Sequence, residues 1–158
     1  MKQAKRILIA LAIALPMIAK GQPTEKFDIV RYTPPQGWVK ETGDNFMAYT
    51  IHNSATREYA RILLYPSLPG TGDIHADFDT EWKELVQSNY SPGGFTNTNV
   101  SEYKDDWILK MGVAPFQFQN TNHAALLLTL MKSQTKMSFV FITNTTAYET
   151  VFEDFGSS

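Results

Sequence analysis

Cysteine is absent from all 158 residues. A disulfide framework, a thiolate metal site and a cysteine nucleophile are thereby excluded, and the core alone has to hold the fold. Histidine is scarce: His52, His75 and His123 are the three in the chain. They are far apart, and neither an H-x-x-x-H pair nor an H-E-x-x-H motif occurs. A G-x-S-x-G elbow, a P-loop and a dinucleotide-binding glycine pattern are missing too. No apolar run reaches the about 20 residues of a membrane-spanning helix. The longest, Ile7–Ala19, has 13 residues and contains Pro16.

What is present begins with that run. Lys2, Lys5 and Arg6 precede it, and the small residues Ala19 and Gly21 bracket Lys20 just ahead of Gln22. A positive start, an apolar middle and a small-residue end make the layout of a bacterial-type secretory signal peptide. The expectation is a signal over residues 1–21 and one domain over 22–158, placed in the periplasm or outside the cell. Without Lys2, Lys5, Arg6 and Lys20, ten basic residues remain against 16 acidic ones, a net charge of −6. An acidic chain gains nothing from counterion release on nucleic acid and has no attraction to an anionic membrane surface. The expected partner is a protein or a small ligand outside the cytoplasm.

Periodicity orders the elements. Phe27–Tyr32 alternates and reads as a strand, and "TPPQGW" (Thr33–Trp38) forces a turn. Asn45–Asn53 and Tyr59–Pro66 read as a hairpin. Ile74, Phe78, Trp82, Leu85 and Val86 recur at i, i+4, i+8, i+11 and i+12, the stripe of an amphipathic helix. Asp73 is its cap, Ser91–Gly94 stops it, and it spans about 25 Å. Strands follow at Phe95–Tyr103 and Trp107–Ala114, then through Pro115–Lys132 with a turn at Asn120–Asn122, and at Met137–Asn144. Lys104–Asp106 and Ser133–Lys136 are turns. Tyr148, Val151, Phe152 and Phe155 mark a terminal helix that Gly156 closes. The fold class is α+β: a central antiparallel sheet of about six to seven strands, order βββ-α-ββββ-α, with helices packed on it.

Two stretches invite a functional reading. In "GDIHADFDTEWKELV" (Gly72–Val86), Asp73, His75, Asp77, Asp79, Glu81 and Glu84 match the ligand offsets of a calcium-binding loop. Asp73, Asp77, Glu81 and Glu84 are the candidate calcium ligands. Against this, the position that needs glycine for the sharp turn is Phe78, and a helix points residues two apart away from each other. The helix reading turns the same acids into a solvent-facing stripe, with His75 and Asp79 a surface pair. The second stretch is the loop "PSLPGTG" (Pro66–Gly72), where Ser67, Gly70, Thr71 and Gly72 are candidates for contacting a ligand, since loops of this kind carry function. A hydrolase with an unrecognised carboxylate or histidine site is a further possibility. Asp105 and Asp106 read as turn formers rather than an acid–base pair.

"FDIVRYTPPQGW", "RILLYPSLPGTGDIHADFDTEWKELV" and "ILKMGVAPFQFQNTNHAALLLTLMKSQTKMSFVFITNTTAYETVFEDF" together resemble exported bacterial domains with the fold of PsbP, the extrinsic subunit of photosystem II. A Ran-binding nuclear transport factor shares that fold. The resemblance lies in the GW after the first strand, the D-F-x-x-x-W-x-x-L-V helix, the strand meander and the aromatic terminal helix, over roughly Phe27–Phe155. It implies a PsbP-like sandwich acting as a non-catalytic binding or accessory module, and it carries no catalytic motif over.

Overall fold

The computed structural model describes residues 23–92, 94, 96, 97 and 100–157. The expected signal segment, 1–21, lies outside them, as does part of the strand expected over Phe95–Tyr103.

The chain is mixed α+β around an antiparallel sheet, as the periodicity implied. Strand β3 (Val39–Thr42) leads to β4 (Met47–Asn53) and β5 (Glu58–Leu64). The later β9 (Ile108–Phe118), β10 (Thr121–Lys132) and β11 (Thr135–Thr143) form a meander. Its last strand returns beside β5, giving the order β3-β4-β5-β11-β10-β9-β7, with β7 at Thr96–Asn97. The two-residue strands β6 (Leu68–Pro69) and β8 (Ser101–Glu102) pair with β11 and β9. The β9–β10 turn is Gln119–Asn120, both in the left-handed region (φ 49° and 61°), as a tight right-twisted hairpin requires. It falls one residue earlier than expected, and β9 runs through Pro115 without a break. Among the described residues β7 pairs with β9 no further along than Val113, and Pro115 itself pairs with Ala124 of β10.

Three other expectations change. The single strand over Phe27–Tyr32 is a hairpin, β1 (Glu25–Phe27) and β2 (Val30–Tyr32), turned at Asp28 with φ 51°. β3 carried no apolar alternation to reveal it, because all four of its residues are exposed edge positions. Part of the "PSLPGTG" loop is strand, since Leu68 and Pro69 pair with Lys136 and Thr135.

The sheet is covered on both faces because its central strands are apolar on both. On one face lies a continuous helical segment: α1 (Ile74–Glu81), a π turn (Trp82–Gln87) and α2 (Ser88–Tyr90). Asp73 caps it as expected, its carboxylate accepting from the His75 N–H at 2.8 Å. Ser91, left-handed at φ 46°, ends it. Phe78, Trp82 and Val86 share a core with Leu63, Leu127 and Val140. The other face is covered by the β1–β2 hairpin and by α3 (Glu149–Ser157), whose Phe155 packs against Tyr32, Phe139 and Phe141. The GW pair is part of this cover. Gly37 takes φ 78°, and Trp38 then meets Tyr148 and Phe152 edge-on at 5.5 and 6.2 Å. Among the described residues, no helix is long and apolar enough to cross a membrane.

Candidate functional site

The calcium candidates are not gathered around a common point. Asp73 is spent on the cap, and Glu84 is exposed on the π turn. Asp77 and Glu81 are not in a solvent stripe: they are 1% and 4% exposed, and both face Lys136. Its Nζ lies 2.7 Å from Glu81 Oε1 and 3.9 Å from Asp77 Oδ1. The Glu81 contact is ionic, outside hydrogen-bonding angles. The reason is helical phase: counted from the buried Ile74, Asp77 is i+3 and Glu81 i+7, both on the sheet-facing arc. Among the described residues, no group of three or more acidic or histidine side chains is placed to hold a metal ion.

The sheet answers these acids with a polar seam of its own. Lys110, Thr129 and Ser138 are in register across β9, β10 and β11, all buried. Thr129 and Ser138 share a hydrogen bond of 3.1 Å. The Lys110 Nζ sits 4.9 Å from the centre of the Phe78 ring and 2.9 Å from His75 Nδ1. An ammonium only donates, so Nδ1 is the acceptor and the imidazole proton is on Nε2. His75 is therefore engaged by Lys110, not by Asp79.

The "PSLPGTG" loop is tied inward. The Ser67 N–H donates to Asp28 Oδ2 at 2.6 Å, and the Gly70 N–H to the Gln134 carbonyl at 2.8 Å. The Thr71 N–H reaches both Asp77 oxygens, at 2.9 and 3.1 Å. A Cβ on Gly70 would stand 2.7 Å from Asp77 Oδ2, so only glycine passes the buried carboxylate. Gly72 takes φ 86° to turn into the cap. The loop works as a strap between sheet and helix, and none of the four candidate residues lines the cavity described next.

That cavity is on the opposite face. The β1–β2 hairpin and α3 are short covers and do not close over β9 and β10. A partly open cavity of about 170 Å³ remains. Its floor is Leu109, Leu128, Leu130, Met137 and Phe139, with Trp107, Tyr103 and Val30 as walls. Leu109 and Leu128 stay half-buried in consequence. Tyr103 is held by its O–H donating to the Gly156 carbonyl at 2.9 Å. Arg31, Lys104 and Asp105 stand at the rim, all exposed. Sequence reasoning found none of these as a site, since each reads as an ordinary core, turn or strand residue. Asp105 and Asp106 are turn formers as expected, both left-handed at φ 57° and 63°.

One wall is braced by a polar knot. Glu25 Oε2 accepts from the Tyr32 and Tyr49 phenols at 2.9 and 3.0 Å and pairs with Lys40 at 2.5 Å. Lys40 first, and then the two phenols, hold the Glu25 carboxyl below its usual range against the opposing effect of burial. Burial first, then bonding to Tyr49 and Glu25, raises the Tyr32 phenol far above its ordinary value. Burial also raises Tyr49 and Tyr65, and pushes Tyr90 up to about 12. In the unfolded chain these phenols ionise near pH 10. The fold keeps them neutral, so their contribution is complete below about pH 10 and is lost progressively as pH rises from there through the raised folded-state values. The urea midpoint should fall steeply above about pH 10. Tyr32→Phe should flatten that alkaline limb while lowering the neutral plateau; an unchanged limb would remove Tyr32 as its source.

Neither a protein-family model nor a curated protein matches the chain. The class that fold and site define is an α+β chain with a mostly antiparallel sheet, carrying an apolar cavity under an incomplete cover.

Proposed function

We propose that this chain is an exported, non-catalytic binding module of PsbP-like sandwich form, which takes an apolar group of its ligand into the cavity under the β1–β2 hairpin. The observation that carries the reading is the cavity. It is concave, apolar-lined and framed by a few polar groups, the usual character of a ligand site. Its 170 Å³ compares with the roughly 150 Å³ cavity that accepts benzene, so one ring or a short alkyl chain fits. The signal-like start supports export, and the GW turn and aromatic terminal helix support the PsbP-like form. The buried acids and the strap loop are committed to holding α1 in place, and calcium has no part in this reading.

Toluene titrated against the protein, followed by methyl NMR, should saturably shift the resonances of Leu128, Leu130 and Met137. Leu128→Trp, which fills the cavity from its floor, should weaken that binding at least about tenfold, equivalent to roughly 1.4 kcal/mol. Shifts that are absent, or that survive the tryptophan unchanged, would sink the proposal.

A further inference from the structure

The rim of the same cavity carries charge that the fold does not use. Arg31 lies on β2 and Lys104 in the turn before β9, and both are exposed. Among the described residues neither forms an ion pair: the four that occur use Lys40, Arg61 and Lys136. The other polar side chains of the lining are largely committed. Tyr32 is bound to Glu25, and Tyr103 to the Gly156 carbonyl. Asp105 is the one acid among the lining residues. A third cation, Lys132, stands beside it and donates to its backbone carbonyl at 2.6 Å. Two cations with no ion pair among the described residues thus stand with one carboxylate among the lining residues of an apolar cavity, in a chain that is acidic once its first residues are set aside.

Resting on the cavity reading above, we infer that the ligand is a small amphiphilic carboxylate: a ring or short alkyl chain that enters the cavity, with its carboxylate held at the rim by Arg31 and Lys104. Charge complementarity selects the head, since a guanidinium fork matches a planar carboxylate. Volume selects the tail, which is limited to about one ring. The rim is wet, so the charge contribution is modest. Two exposed contacts of about 0.5 kcal/mol each correspond to roughly fivefold in affinity.

The test compares phenylpropionate, phenylpropanol and phenylpropylamine by calorimetry on the full chain, at low and high salt. The expected order is acid, alcohol, amine. The acid should bind about fivefold tighter than the alcohol, and the advantage should shrink in high salt. The exposed double variant R31Q/K104Q should erase the acid's advantage and leave alcohol binding unchanged. Equal binding of acid and alcohol, or an advantage that survives the double variant, overturns the carboxylate inference and leaves the cavity reading standing. If none of the three binds, the cavity reading falls and this inference with it.

Discussion

Replacing Lys136 with methionine should destabilise the fold by about 3–5 kcal/mol, the cost of stripping a buried charge of its partner. Lys136 is the second residue of β11 and lies under the helix, where it is 8% exposed. Methionine keeps most of its volume, so the loss is electrostatic rather than a cavity. Two nearly inaccessible carboxylates would lose the only ammonium within 4.0 Å of them among the described residues. They are not equally exposed to the loss. Asp77 retains the Thr71 N–H on both oxygens, whereas Glu81 Oε1 has no hydrogen bond to fall back on. Adding Glu81→Gln to Lys136→Met should therefore recover part of the stability, because one uncompensated charge is removed. Asp77→Asn should recover less. Urea unfolding followed by tryptophan fluorescence gives all four values. A Lys136→Met variant within about 1 kcal/mol of the parent would show that the carboxylates are hydrated, and the account of a buried ion pair between helix and sheet would fail.

That buried ion pair shows where sequence reading stopped. The stripe Ile74, Phe78, Trp82 and the Asp73 cap were legible because a repeat near four residues and a capping acid are local properties of the chain. The burial of Asp77 and Glu81 was also encoded, in their i+3 and i+7 spacing from Ile74. It was overridden by the ordinary expectation that acids face water. Their partner Lys136 read as part of a polar turn, and only the pairing of β6 with β11 brings it beneath α1. The β1–β2 hairpin was hidden in one alternating run, because a single left-handed Asp28 folds it back. The cavity was not legible at all. It is a gap between two covers, and its floor residues differ in no sequence property from Leu64 or Ile62, which are fully buried outside it. The free charges at its rim, Arg31 and Lys104, gain meaning only once that gap places them together.

Phe78→Ala should be about as damaging, at about 3–5 kcal/mol, and for a different reason. The ring is 0% exposed, stacked at 6.0 Å on Trp82, and lies where α1 crosses β9 and β10. The sheet positions in the same core include Ala114 and Ala125, both fully buried. Ala114 and Ala125 are too short to reach into the space that the ring would leave. The cost should thus sit toward the upper end of the range, since cavity size sets the penalty beyond simple transfer. The substitution also removes the ring beneath the Lys110 side chain, whose Nζ is 4.9 Å away, and leaves Lys110 its hydrogen bond to His75. Phe78→Leu refills most of the volume without restoring the cation–π contact, so it should lose clearly less than alanine but remain below the parent. In thermal unfolding the alanine variant should melt roughly 10–20 °C lower. Toluene binding, measured below that transition, should be unaffected, because the cavity opens on the other face of the sheet. A loss smaller than about 1.5 kcal/mol for alanine would mean that the helix settles onto the sheet to close the hole. In that case the small residues of β9 and β10 would not be what fixes its height.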